Sequence, residues 1–277
     1  MIPGSATPPV RRRLDAELVR RGLAPSREQA RAAVVAGRVT VGGAPALKPA
    51  RMVAPHEPVV VAGEPPRFVS RAGEKLAAAL DRFALDPTGT RALDAGASTG
   101  GFTDCLLQRG AIAVVAVDVG HGQLHERLRA DPRVTVRERL NVRDLGAGDL
   151  GALFPLVVAD LSFISLRTVL GALVGQAAPG GDLVLLVKPQ FEAGRAEASL
   201  GRGVIRDPAV WRRALDDVGA AITARGAAIM GAMVSPITGA EGNIEFLVHA
   251  RTAPAAAPEP PVDLAAVVAE AAARAGA

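Results

Sequence analysis

The chain has 277 residues, 49% of them apolar, enough for one large domain or for a large domain with a small companion. Its single cysteine, Cys105, rules out an internal disulfide, and no apolar run reaches the roughly 18 residues of a spanning helix. The net charge is +4, with arginines crowded into the first fifth of the chain where acids are few.

Residues 1–10 read as a disordered N-terminus. The arginines that follow precede no apolar segment, so they form no secretory signal, and the cytoplasm is the expected compartment. RLDAELVRRGL predicts a short helix through Leu14, Leu18 and Leu23. Ser26 is the expected N-cap of a second helix, SREQARAAVVAG, which Gly37 stops. RVTVGG and PVVVAG read as short strands. Residues 11–62 therefore predict a compact α+β module. Arg12, Arg20, Arg27, Arg31 and Arg38, with Arg71 further on, are its expected phosphate-facing residues. A merely solvated surface in an arginine-rich proteome is the alternative. The patterns L-D-x-x-L, S-R-x-x-A and G-x-V-x-V-G-G resemble the S4 domain, a small RNA-binding module. The resemblance implies recognition of RNA shape and phosphates rather than of base sequence. Gly42-Gly43 stands where that family usually has lysine or asparagine near the turn, with Lys48 behind it.

Residues 63–70 are punctuated by Gly and Pro and read as a linker. Beyond them GEKLAAALDRFAL predicts a helix. RALDAG, AVVAVDVG, RVTVRER, LVVADLSF and DLVLLVK predict five strands, with a helix at 166–174 and another around Trp211. AAIMGAMVSPI and NIEFLVHAR complete an antiparallel pair. Alternating strands and helices over 71–250 predict an α/β fold, a Rossmann-like doubly wound sheet. Residues 251–277 are a Pro/Ala-rich tail whose last stretch, LAAVVAEAAARAGA, predicts a short helix with little to pack against.

The stretch LDAGASTGGFTD, residues 93–104, has the strand–glycine turn–helix form of a nucleotide site. A dinucleotide frame starting at Gly96 needs glycine at 98, where Ser98 stands. A nucleoside without a pyrophosphate makes no such demand, which favours S-adenosylmethionine over NAD. Asp94 and the backbone around Gly96, Ser98, Thr99, Gly100, Gly101 and Phe102 would serve its amino-acid end. Asp118, 24 residues after Asp94, ends the second strand where ribose hydroxyls need an acid, and Asp144 falls on the adenine side. A simple strand end and turn is the alternative for LDAG alone.

LDAGASTGGFTD, VAVDVGHGQL, ADLSFISL, LVKPQFE and GNIEFL, in this order, resemble the TlyA family over roughly residues 10–250. These are FtsJ-like ribose 2′-O-methyltransferases joined to an S4 domain, also labelled haemolysins. The resemblance implies a catalytic Lys-Asp-Lys-Glu tetrad at Lys75, Asp160, Lys188 and Glu245, with Asp160 also facing the cofactor. It further implies ribosomal RNA in ribosomal subunits as partner, with a cytidine ribose as acceptor. HERLRADPRV is more polar than the family's usual helix there.

The residue types suit the chemistry. A ribose hydroxyl is a weak nucleophile, so a positioned lysine must take or polarise its proton, with oxygen, carbon and sulfur in line. Taken singly, Lys188 is a solvated strand end, Asp160 a helix cap and Glu245 an edge-strand charge. His121 and His125 are spaced i, i+4 but lack a third ligand, so no metal is expected, and Cys105 reads as a packed helix residue. No membrane contact and no obligate protein partner is expected. A non-catalytic RNA-binding or assembly factor and a membrane-active haemolysin remain as alternatives.

Overall fold

The computed structural model describes residues 11–24, 26–63, 66–193, 203–239, 241–253 and 261–276. The expected disordered segment 1–10 and residues 254–260 of the Pro/Ala-rich tail lie outside the described residues. The chain divides into two compact units, 1–70 and 71–277.

In the first unit β1 (Arg12–Arg13) leads into α1 (Leu14–Arg20), followed by α2 (Arg27–Val35). Ser26 caps α2 as expected, its hydroxyl accepting from the Gln29 amide. β2 (Val39–Val41) lies between β3 (Ala44–Pro45) and β5 (Val59–Val61), and β4 (Met52–Val53) pairs with β1. Leu14, Leu18, Ala30, Val34, Val39 and Val53 are all fully buried, so this small module has a continuous core of its own. In the connection, Phe68 and Val69 are buried, and the Gln29 side chain donates to the Phe68 carbonyl at 3.2 Å.

The second unit is built on a seven-stranded sheet. Its strands in chain order are β6 (Arg91–Ala95), β7 (Ala113–Asp118), β8 (Val134–Glu138), β9 (Phe154–Ala159), β10 (Ala177–Val187), β11 (Ala227–Val234) and β12 (Phe246–Thr252). Across the sheet the order is β11-β12-β10-β9-β6-β7-β8. β12 is antiparallel to both its neighbours; the other pairs are parallel. The inner strands are buried on both faces, which is why they read as apolar runs rather than alternating ones. The chain runs outward from β6 through β7 and β8, then returns to β9 on the other side of β6. The ends of β6 and β9 are therefore the switch point, where open α/β sheets bind ligands.

Helices α3 (Ala72–Arg82), α4 (Gly101–Gln108), α5 (Glu126–Arg129), α6 (Leu166–Gln176), α7 (Pro189–Glu192), α8 (Pro208–Thr223) and α9 (Leu264–Ala275) complete the unit. Trp211 on α8 meets Phe246 edge-on, with ring centroids 6.2 Å apart, and its indole N–H donates to the Ile205 carbonyl. The terminal helix departs from expectation. Val268 and Ala271 on α9 are buried in the main core, against α8 and β11. Its small residues let it lie close to apolar surface that α8 and β11 supply, a partner its own alanine-rich sequence does not reveal. Among the described residues no helix is long and apolar enough to cross a membrane.

Candidate active site at the carboxyl edge of the sheet

Strand register assembles the site. Val187 lies opposite Phe246, Leu185 opposite Ala159, and Ala159 opposite Ala95. The neighbouring residues are Glu245 before β12, Lys188 after β10, Asp160 after β9 and Gly96 after β6. They line one edge at the roughly 4.8 Å spacing of adjacent strands. Lys188 Nζ lies 2.6 Å from Asp160 Oδ1 and donates to Ser162 Oγ at 2.9 Å. Helix α3 delivers Lys75, whose Nζ is 2.5 Å from Glu245 Oε2. Lys75 and Lys188 are 8% exposed and Glu245 3%, so these charges are held out of bulk water and each lysine has a carboxylate in contact. The implied tetrad is thus two lysine–carboxylate pairs. Phe191 places its ring 5.8 Å from Lys188 Nζ, and its centroid lies 5.5 Å from that of Phe163, which is 93% exposed.

Beside these pairs lies the glycine loop. Asp94 is fully buried; its Oδ2 accepts from the Thr103 amide and hydroxyl, while its Oδ1 has no hydrogen-bond partner. Burial pushes the Asp94 carboxyl up to about 7 against those two hydrogen bonds, and repulsion from Asp160 and Asp118 adds to the rise. Asp118 accepts from the Ser98 amide at 2.8 Å and the Gly120 amide at 2.7 Å. Ser98 takes a positive φ of 46°, a conformation that usually selects glycine, and its bond to Asp118 holds it there. The Thr99 carbonyl accepts from the His125 amide. Gly100 is the left-handed N-cap of α4, and Gly101 and Phe102 form that helix's buried first turn. Asp144 is the exposed end of a 3₁₀ turn (Val142–Asp144) and pairs with Arg143 at 3.5 Å.

Gly96 is the tightest point of the loop. Its φ is +83°, and a Cβ there would stand 2.6 Å from the Asp160 carbonyl oxygen. Gly96→Ala is therefore expected to lower Tm by about 5–10 °C and to abolish cofactor binding, since left-handed strain and a backbone clash coincide. Gly175→Ala on α6, where nothing lies within 4 Å of the added methyl, is the control expected to be neutral or slightly stabilising. Melting curves and calorimetric titration of both variants check this.

Two supporting residues lie inside the quoted motifs LVKPQFE and GNIEFL, whose letters did not reveal their roles. Glu192 accepts from Ser165 Oγ at 2.5 Å and the Leu166 amide at 2.7 Å, fastening α7, just after Lys188, to the start of α6, just after Asp160. Asn243 accepts from the Ile205 amide and donates to the Gly203 carbonyl, bracing the backbone next to Glu245. Such partners, 26 to 40 residues apart, follow no periodic pattern. Glu192→Ala is expected to cut kcat about tenfold through a misplaced Lys188 while leaving cofactor affinity unchanged. Turnover and cofactor titration separate the two.

His121 pairs with Glu138 at 2.7 Å, and His125 caps α5 by accepting from the Arg127 amide, so the two histidines are engaged separately. No group of three metal-ligating residues occurs among the described residues. Cys105 is fully buried in α4. In the first unit Arg12 and Arg38 are exposed, as is Arg71 at the start of the second. Arg20, also exposed, pairs with Glu17, and the exposed Arg27 and Arg31 pair with Asp15.

A doubly wound sheet with a glycine loop, strand-end acids and buried lysine–carboxylate pairs at one edge defines a Rossmann-like transferase. The chain belongs to the FtsJ-like methyltransferase family, whose model matches residues 68–252, and carries an S4 domain matched at residues 12–59. It is 51% identical over 243 residues to the 16S/23S rRNA (cytidine-2′-O)-methyltransferase TlyA of Mycobacterium tuberculosis, covering 87% of this chain and 90% of that one. It is 39% identical to Hemolysin A of Brachyspira hyodysenteriae, covering 86% of this chain and 98% of the other. A solved structure from Streptococcus thermophilus, also named for haemolysin, superposes with a TM-score of 0.77 at 39% identity, covering 96% and 98% of the two chains.

The residues present fit S-adenosylmethionine. The partnerless, fully buried Asp94 Oδ1 is an acceptor awaiting a cationic donor, which an amino-acid ammonium supplies. Asp118 retains acceptor capacity for hydroxyls beyond its two backbone bonds. No phosphate-binding glycine is needed at 98.

Proposed function

We propose that this protein transfers the methyl group of S-adenosylmethionine to a ribose 2′-hydroxyl of a cytidine in ribosomal RNA, acting on a ribosomal subunit in the cytoplasm. The observation that carries the reading is the Lys188–Asp160 pair next to Lys75–Glu245 at the ligand-binding edge. When bound, S-adenosylmethionine supplies a methyl already activated by its sulfonium. Lys188 holds the attacking hydroxyl and takes up or polarises its proton as the oxygen becomes a nucleophile. Asp160 and Ser162 fix the Lys188 side chain in place, and Asp160 steadies the ammonium that forms when the amine takes up the proton. Lys75 and Glu245 hold the ribose from the side of α3. Asp94, Asp118 and the Gly96–Phe102 backbone seat the cofactor. The exposed arginines of the first unit bind phosphates and bring the RNA to this edge.

Keeping four charged groups at a desolvated edge is costly, and a purely RNA-binding factor gains nothing from them, which disfavours that alternative. The haemolysin name belongs to relatives, and among the described residues no helix is suited to crossing a membrane. The test is transfer of label from S-adenosylmethionine to purified ribosomal subunits and free rRNA. Label recovered in a nuclease-resistant 2′-O-methyl dinucleotide is expected. Cofactor binding without label in any RNA overturns the reading.

A further inference from the structure

The arginines of the first unit are not independent side chains. Asp15 lies in the first turn of α1 and is 0% exposed, yet it meets three guanidiniums: Arg13 at 3.0 Å, Arg27 at 3.2 Å and Arg31 at 3.1 Å. Glu17, 1% exposed, takes Arg20 at 2.5 Å and Arg21 at 2.7 Å. Hydrogen bonds from Arg13, Arg31 and Arg27 hold the Asp15 carboxyl well below its ordinary range, and Arg20 and Arg21 bring Glu17 down to about 2. Both acids therefore stay charged at any working pH. Four of the arginines keep their side chains well exposed: Arg13 44%, Arg20 51%, Arg27 54% and Arg31 55%. Arg21 differs, being 18% exposed and donating also to the carbonyls of Ala54, Pro55 and Glu57, so it braces the module itself.

We propose that Asp15, and Glu17 behind Arg20, are positioning residues of the RNA interface: buried anions that hold exposed guanidiniums in a pre-formed array for phosphate oxygens. This rests on the RNA-binding reading of the first unit. A free arginine loses rotamer freedom when it is immobilised on a ligand. An arginine already pinned has lost much of that on folding. Each guanidinium has five N–H donors, more than one carboxylate contact uses, so capacity for phosphate remains. The anions repel phosphate only weakly, since they lie beneath the cations that neutralise them and the cluster stays cationic.

The sign of the effect makes the proposal testable. By charge counting alone, removing a buried acid makes the face more positive and tightens RNA binding. By positioning, it loosens the array and weakens binding. The experiment measures affinity of the full-length protein for rRNA across a salt series, with steady-state transfer alongside. Asp15→Asn is expected to weaken RNA binding about fivefold and raise KM for RNA, with kcat and cofactor affinity unchanged, and Asp15→Glu to recover part of the loss. Arg31→Lys keeps the charge on an exposed side chain and guards against a folding defect in the Asp15 variants; it is expected to weaken binding about threefold. Unchanged or tighter binding in folded Asp15→Asn, or full affinity in Arg31→Lys, overturns the positioning role. The double change Arg27→Gln with Arg31→Gln tests the underlying reading separately. It is expected to lower affinity and flatten the salt dependence by about two charges. No change there removes the module as the RNA interface altogether.

Discussion

Lys188→Ala is expected to lower methyl transfer by about three orders of magnitude while leaving S-adenosylmethionine affinity within about twofold. Loss of a positioned proton acceptor costs about 10²–10⁴ in rate, and Lys188 is placed to be that group. It ends the apolar run LVLLV, is 8% exposed, and is fixed by Asp160 at 2.6 Å and Ser162 at 2.9 Å. Cofactor affinity is spared because Asp94, Asp118 and the glycine loop belong to β6, β7 and the turn after β6, on the far side of β9 from Lys188. Lys188→Arg is expected to be nearly as inactive, since a guanidinium cannot give up its proton in the working range. Single-turnover transfer with calorimetric cofactor titration is the measurement. Turnover within tenfold of the parent would take Lys188 out of the chemistry.

Asp94→Asn is expected to stabilise the ligand-free protein and to cost it the cofactor. The carboxyl titrates near 7 in the fold against an ordinary 3.8, so it is raised. Below the ordinary value it is protonated both folded and unfolded. As pH rises towards 7 the unfolded chain releases the proton and the folded one keeps it, so stability is lost across that window; above it the loss is constant. Asparagine carries no such proton. Its oxygen still accepts from the Thr103 amide and hydroxyl, and its amide stands where Oδ1 has no partner. The variant should therefore melt several degrees above the parent at pH 8, with the gap narrowing at pH 5. Without the charge that receives the ligand's ammonium, S-adenosylmethionine affinity should fall about 10–100-fold, the worth of one charge-assisted hydrogen bond. Melting curves at the two pH values and a binding titration decide it. A pH-independent gap, or unchanged affinity, would mean that Asp94 is a structural acid only.

Much of the α/β unit was legible because its signals are local. Strands buried on both faces must be short apolar runs, as in LVLLV and VVAVD. Turns with positive φ select glycine, as at Gly96 and Gly100. Helix starts need caps, as at Ser26. Ser98 went the other way: standing where a dinucleotide loop has glycine, it adopts the left-handed conformation all the same, because Asp118 holds its amide.

By itself, then, the amino-acid sequence determined the doubly wound sheet, the glycine loop and the small basic module ahead of it, and through family motifs it singled out four side chains that the fold brings to one edge. Only the tertiary structure decided how those four pair, that Glu192 ties the turn after Lys188 to the start of α6, that buried acids pair with the arginines, and that the last helix belongs to the core. The division has a physical cause. Propensity, caps and turns act within a few residues and leave their mark on neighbouring letters. Lys75 and Glu245 are 170 residues apart and meet only because strand register and helix packing bring them to one edge.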